Sequence, residues 1–212
     1  MKETVASIIS DTDPRVWDVT RAVLEAGGLV VFCTESTYGI GARPDLQGEA
    51  MGRLATLKGR DSRKPFPLIA ASLEAAEAYC DLTGPLGELG RGLWPGPLTV
   101  AARPLGEVPA QVLSPTGTAG IRVSPHEVAQ KVAALAGGVV TATSANFAGD
   151  DAARSVDDLG GLLQEVDLVM DSGPAPGAAP STVVGWGEEG LIVYREGALA
   201  TGLLRQALKE RG

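Results

Sequence analysis

Residues 119–146, AGIRVSPHEVAQKVAALAGGVVTATSAN, decide the fold class. AGIRV (119 to 123) is a short apolar run with β-branched residues, a helix follows Pro125, and GVVTAT (138 to 143) returns to an apolar run behind glycines. Strand, helix and strand in that order make one unit of an α/β sheet with helices packed on it. The alternation extends in both directions. Upstream, Asp13 and Pro14 open a helix on which Val16, Val19, Val23 and Ala26 recur until Gly27 and Gly28 stop it. LVVFCT (29 to 34) then reads as a buried strand, and the polar, Gly-rich TESTYGIGARP leaves its end. Asp45 is a cap for a helix through Met51, Leu54 and Leu57 towards Lys58. PLIAAS (67 to 72) is a strand, Ser72 begins a helix, another helix precedes Trp94, and LTVAA (98 to 102) is a strand. Downstream come a helix capped by Ser155 and a strand DLVMD (167 to 171). STVVGW and LIVYRE then form two neighbouring strands joined antiparallel through GEEG, before a closing helix from about Thr201. No internal repeat and no long linker divides the chain, so the expectation is a single domain over 1–212, α/β in class, with one mixed sheet. SGPAPGAAPS (172 to 181) reads as a loop over a site.

Bulk composition narrows the chemistry. Apolar residues at 44% and charged residues at 21% are ordinary globular usage, whereas aromatics at 4% leave the core to Ala, Val and Leu. A formal charge of −8 disfavours nucleic acid and anionic membranes as partners of the whole surface. No apolar run approaches a membrane span, and MKETVASIISDTDPR turns polar too soon for a signal peptide. Cys33 and Cys80 are the only cysteines, which is no disulfide framework and fits a reducing cytoplasm. With His126 as the only histidine, a histidine-rich zinc site is excluded and a Ser/His/Asp triad would hang on that residue.

Several segments can carry chemistry. KGRDSRK (58 to 64) crowds Lys58, Arg60, Arg63 and Lys64 into a chain with only 18 Lys and Arg. It reads either as a solvated helix end, where cations favour the carbonyl-rich terminus, or as an anion site stiffened by Pro65 and Pro67. TESTYGIG (34 to 41) brings hydroxyls, a carboxylate, a tyrosine and two glycines to a strand end. Its alternatives are a turn or a backbone approach to a ligand. No complete GxGxxG and no GxxxxGK[ST] occurs, so an ATP site must use another architecture. Ser144 and Asn146 of TSAN emerge at a strand end, where α/β sheets collect ligands, or else form a simple turn. Arg122 lies inside an apolar strand and requires an anionic partner, either a structural carboxylate or that of a ligand. Its place near the strand terminus favours the ligand. Arg195, ending LIVYRE, is a surface cation or a phosphate contact.

These segments occur in an order that resembles the YrdC-like threonylcarbamoyl-AMP synthases. CTESTYGIG is similar to that family's PTETVYGLG and KGRDSRKP to its KxRPxxKP. WPGPLT (94 to 99), IRVSPH (121 to 126), ATSAN (142 to 146), STVV (181 to 184) and YREG (194 to 197) follow in register. The resemblance implies a twisted sheet curving around a large cationic cleft that holds ATP and an amino acid. By motif position, Thr34, Arg122 and Ser181 contact L-threonine. Lys58, Arg60, Lys64, Thr118, Ser144, Asn146 and Arg195 line the nucleotide. The chain departs from the family at Cys33, Asp61, Ala148 and Gly185, where a proline, a proline, a serine and an aspartate are usual.

The implied reaction joins ATP, bicarbonate and L-threonine into an adenylate without a protein nucleophile. Arg60, Lys64 and Arg122 position and neutralise charge, and Mg2+ is held mainly by the phosphates. His126 is then a helix-start residue. A downstream threonylcarbamoyl-transferase complex would consume the product, tRNA being reached only through it. The rival readings are a diverged relative acting on another amine, and a non-catalytic RNA-binding module, which the acidic charge and the few aromatics disfavour.

Overall fold

The computed structural model describes residues 6–44, 49–59 and 64–209. Its strands fall in two mixed sheets rather than the one expected. In chain order the elements are β1 (Ser7–Ser10), α1 (Val16–Glu25), β2 (Val30–Cys33), β3 (Tyr38–Gly41), α2 (Ala50–Leu57), β4 (Leu68–Ala70), α3 (Leu73–Tyr79), α4 (Gly84–Leu93) and β5 (Leu98–Ala102). They continue with β6 (Ala119–Val123), α5 (Glu127–Leu135), β7 (Val139–Thr141), β8 (Thr143–Ser144), β9 (Leu168–Asp171), β10 (Thr182–Gly187), β11 (Gly190–Arg195) and α6 (Thr201–Lys209). One sheet has the order β1-β9-β2-β3-β8, the other β11-β10-β5-β6-β4-β7.

The two sheets meet where β7 passes into β8. GVVTAT reads as one strand, yet Val139–Thr141 pairs with β4 in one sheet while Thr143 and Ser144 pair with β3 in the other. Gly41 makes this crossing possible, because a Cβ there would lie 2.0 Å from the Thr141 carbonyl oxygen. The second glycine of YGIG therefore serves the junction between the sheets. TESTYGIG is the turn and second strand of a hairpin, with Cys33 opposite Tyr38 and Val30 opposite Gly41.

Apolar periodicity places the helices. Val16, Thr20 and Leu24 form the buried line of α1, and Val128, Ala129, Val132 and Ala133 that of α5. These faces share one cluster with Val30, Phe32, Leu168 and Met170 of the first sheet and Ile69 and Val140 of the second. A larger cluster joins Val31, Tyr38 and Ile40 to Leu68, Val100, Ile121 and Val184 on the opposite faces. Ser72 caps α3 as expected, its Oγ accepting from the Ala75 N–H, and the GEEG hairpin is present. The segment behind Ser155 has its capping box with Asp158, but it forms 3-10 turns broken at Gly160 instead of an α-helix. β1, in a stretch with no strand signal, pairs in parallel with β9. Asp45 lies outside the described residues, among which no helix is long and apolar enough to cross a membrane.

Candidate active site

Register carries one row across the six-stranded sheet. Val140 on β7 opposes Ile69 on β4, Ile69 opposes Arg122 on β6, and Val183 on β10 is flanked by Thr99 on β5 and Arg195 on β11. One step beyond the Val100–Ile121 pair, the β5–β6 ladder sets Thr99 beside Arg122 and closes the row. Residues opposed in this way share a face. Val140 and Ile69 are packed beneath α5, whereas the rest of the row, Arg122, Thr99, Val183 and Arg195, is mainly polar. Three strand spacings of about 4.8 Å put the two arginine backbones about 14 Å apart. Between them Thr99 Oγ1 lies 2.8 Å from Ser181 Oγ, and Arg195 Nη2 donates to the Ser181 carbonyl at 2.8 Å and to its hydroxyl at 3.2 Å. A bulge opposite Val183 and Val184 lets Arg195 reach back over β10.

Arg122 has a protein partner, contrary to a lone cation in a solvated cleft. Its Nη1 donates to Glu35 Oε1 at 2.5 Å, and both side chains are only 12% exposed. Ser124 donates to the other carboxylate oxygen at 2.6 Å. Burial pushes the Glu35 carboxyl upward, but the Arg122 charge and the Ser124 hydrogen bond outweigh it and hold the group below the ordinary carboxylate range. Arg122 Nε and Nη2 make no hydrogen bond among the described residues. One corner of the guanidinium is committed to the protein and the remaining donors are available to an anion.

Lys58, at the C-terminal end of α2, is 8% exposed and donates to the carbonyls of Ser144 (3.1 Å) and Asn146 (2.8 Å) and to Asn146 Oδ1 (2.5 Å). Ser144 Oγ also donates to Asn146 Oδ1, and Asn146 Nδ2 to the Asp150 carbonyl. These bonds tie the Lys58 ammonium to the turn. Lys58 thus braces the expected nucleotide residues Ser144 and Asn146. Ser144 in turn pairs with Gly39 on β3.

The other expected residues are placed less closely together. Thr34 is buried and closes its own turn by donating to the Thr37 carbonyl at 2.7 Å, next to Glu35 in the chain. Thr118 shares hydroxyl contacts with Ser114 (2.8 Å) and Thr116 (3.3 Å), and no bond links it to the row. Lys64 is exposed just before β4, while Arg60 and Asp61 lie outside the described residues. His126 is the residue before α5, as expected of a helix start. Burial lowers its imidazole pKa against the upward pull of Glu35 and Asp11, and Nδ1 has no partner among the described residues. Burial likewise pushes the Cys33 thiol up to about 11, which keeps it protonated and unreactive.

Glu35 and Thr99 are the residues that sequence reasoning missed. A signal for Glu35 existed, since an arginine in an apolar strand demands a carboxylate and TESTYGIG contains one. For Thr99 only its place in WPGPLT marked it. At Gly185, where the family's aspartate is usual, the Tyr194 ring takes the space: a Cβ would lie 2.7 Å from its Cε2.

The family model Sua5/YciO/YrdC, described as telomere recombination, matches residues 22–197. This chain belongs to the Sua5/YciO/YrdC family. Among its relatives, a threonylcarbamoyl-AMP synthase of Methylococcus capsulatus is 37% identical over 133 residues, covering 62% of this chain and 71% of the relative. One of Chromohalobacter salexigens is 32% identical over 179 residues, 82% of this chain and 94% of the relative. The crystal structure of Pyrococcus abyssi Sua5 complexed with L-threonine superposes with a TM-score of 0.84 at 26% identity. The match covers 96% of this chain but 61% of the longer archaeal one. The Sua5/YciO/YrdC fold inferred from the ordered motifs is thus the fold observed.

Proposed function

We propose that this chain is a nucleotidyltransferase that converts L-threonine, bicarbonate or CO2, and ATP into threonylcarbamoyl-AMP and pyrophosphate. The observation that supports it most is the row across the six-stranded sheet, with Arg122 and Arg195 flanking the Thr99–Ser181 hydroxyl pair. Two arginines on strands three spacings apart, with the Arg195 side chain folded back onto Ser181, suit a joined substrate pair that carries more than one anionic group. Arg122, with Thr34 and Ser181, receives the amino acid carboxylate. Arg195, Arg60 and Lys64 face the phosphates, and the Ser144–Asn146 turn and Thr118 line the nucleotide. Together they make the cleft cationic in an otherwise acidic protein.

The neutral threonine amine adds to CO2 and gives up one N–H proton to solvent, leaving a carbamate. A carbamate oxygen then attacks the α-phosphorus of ATP, and the bond to the bridging oxygen breaks to release pyrophosphate. The protein's work is to align two anions and to neutralise the leaving group, so no side-chain nucleophile takes part. Magnesium supplies charge on the phosphates. The product is labile and passes to a threonylcarbamoyl-transferase complex that modifies tRNA. A cytoplasmic setting fits the two buried, free cysteines, and one domain fits an apolar cluster drawn from both sheets.

A second reading, in which the amine acceptor is not threonine, is favoured by Tyr194 lying across Gly185 on the same sheet face as Arg122. Incubating the protein with ATP, bicarbonate and each amino acid in turn, followed by mass spectrometry, separates the two. Threonylcarbamoyl-AMP as the main product is expected. Another aminoacyl carbamate would establish the second reading, and pyrophosphate release that ignores bicarbonate would overturn both.

A further inference from the structure

Glu35 gathers three elements that the chain brings from far apart. It follows Thr34 at the end of β2, in the first sheet. Its carboxylate reaches Arg122 on β6 and Ser124 just beyond that strand, in the second sheet. Its main-chain carbonyl accepts the Ala178 N–H at 2.9 Å, which ties down the Pro/Gly-rich stretch that ends in Ser181. Thr34, Arg122 and Ser181, the residues assigned to the amino acid, thus each connect to Glu35. No ligand contact is needed to explain the arrangement, and the carboxylate has no proton to give while Arg122 and Ser124 hold it ionised.

We propose that Glu35 is a positioning residue, which turns the Arg122 guanidinium so that Nε and Nη2 face the amino acid carboxylate. The physical reason is orientational. An arginine side chain has many rotamers, and a planar fork recognises a carboxylate only when its plane and edge are fixed. Anchoring Nη1 to a buried carboxylate fixes both before substrate arrives, and leaves the Nε/Nη2 edge for the ligand. Ser124 locks the carboxylate from its other oxygen. That bond matters because a carboxylate held by one oxygen alone could swing and carry Arg122 with it. The inference rests on the proposed function for the identity of the ligand, but not for the geometry.

The test uses Glu35→Gln, which keeps the shape and removes the charge, together with Arg122→Lys and the double variant. Pyrophosphate release is measured with threonine varied and, separately, with ATP varied. For Glu35→Gln the expected result is a KM for threonine raised about tenfold or more, the KM for ATP changed less than about twofold, and kcat largely kept. In the Arg122→Lys background the same substitution should have little further effect, since there is no fork left to orient. Equal rises in both KM values would overturn the proposal, as would a lowered melting temperature with an unchanged KM for threonine, or the full Glu35→Gln effect in the Arg122→Lys background. NMR of the Arg122 Nε–Hε group in the substrate-free protein provides a reading that does not depend on turnover. The group should be ordered in the wild type and mobile in Glu35→Gln, and equal order in both would overturn the positioning role. If the wild type releases no pyrophosphate in response to threonine, the function is wrong, and the NMR comparison still decides whether Glu35 orients Arg122.

Discussion

Lys58 and Arg122 are both nearly buried cations, and both are held by protein oxygens, yet their chemistry leaves them in different positions. The Lys58 ammonium donates to the Ser144 and Asn146 carbonyls and to Asn146 Oδ1, and those bonds shape a turn. Arg122 gives one nitrogen to Glu35 and keeps the rest of a rigid, five-donor fork. A buried ammonium at this site is a structural brace. A buried guanidinium can be anchored and still bind.

The sharpest test of this contrast is Arg122→Met. The substitution leaves the Glu35 carboxylate, 12% exposed, without its cation and held only by Ser124, so the loss of stability should be about 3 to 5 kcal/mol, together with loss of the response to amino acid. Denaturant melts measure the first and pyrophosphate release the second. A variant as stable as the wild type would mean that the Glu35 pair contributes nothing to the fold.

Lys58→Met ranks next. It strips a donor from three acceptors of one turn, and a loss of about 1 to 3 kcal/mol is expected. Nucleotide affinity should fall only through disorder of the Ser144–Asn146 turn, so hydrogen exchange in that turn should rise along with the dissociation constant for ATP. Weakened ATP binding with the turn still protected would return Lys58 to direct contact with phosphate.

Acid sharpens the comparison from the side of Glu35. Its carboxyl is held below the ordinary range in the folded protein, so its contribution to stability is complete above the unfolded value, about 4.3, and is lost as pH falls from there through the lower folded value. Wild-type protein should lose stability over that window more steeply than Glu35→Gln. Parallel acid melts of the two would show that the pair is not linked to protonation. Arg195→Ala should have the smallest effect on stability, less than about 1 kcal/mol, because the residue is exposed and, among the described residues, its side chain donates only to Ser181. ATP affinity should nevertheless drop by about tenfold or more if the guanidinium meets phosphate. Unchanged ATP affinity would leave Arg195 as a local tie on β10.

Most of the secondary structure was legible because local signals sufficed for it. The apolar lines of α1 and α5, the cap at Ser72 and the GEEG hairpin all depend on neighbours within a few residues. Where the reading failed, the deciding partner was distant. SIIS at the start of the chain becomes a strand because β9, some 160 residues later, supplies its ladder. YGIG becomes a strand because the β2 backbone turns back on it, and GVVTAT divides because Thr143 meets β3.

The sequence by itself determined the family, through motifs whose order survives without coordinates, and it determined that Arg122 needs an anion, since a guanidinium in an apolar strand cannot stand alone. Only the tertiary structure decided which anion. Glu35, in the turn between β2 and β3 of the first sheet, and Arg122, on a strand of the second, lie 87 residues apart, so no local propensity links them. The same holds for Lys58 and the Ser144 and Asn146 oxygens. Hydrogen bonds are satisfied wherever the folded chain brings donor and acceptor within reach, and that meeting is set by how the two sheets pack against each other, a property of the whole chain rather than of any segment.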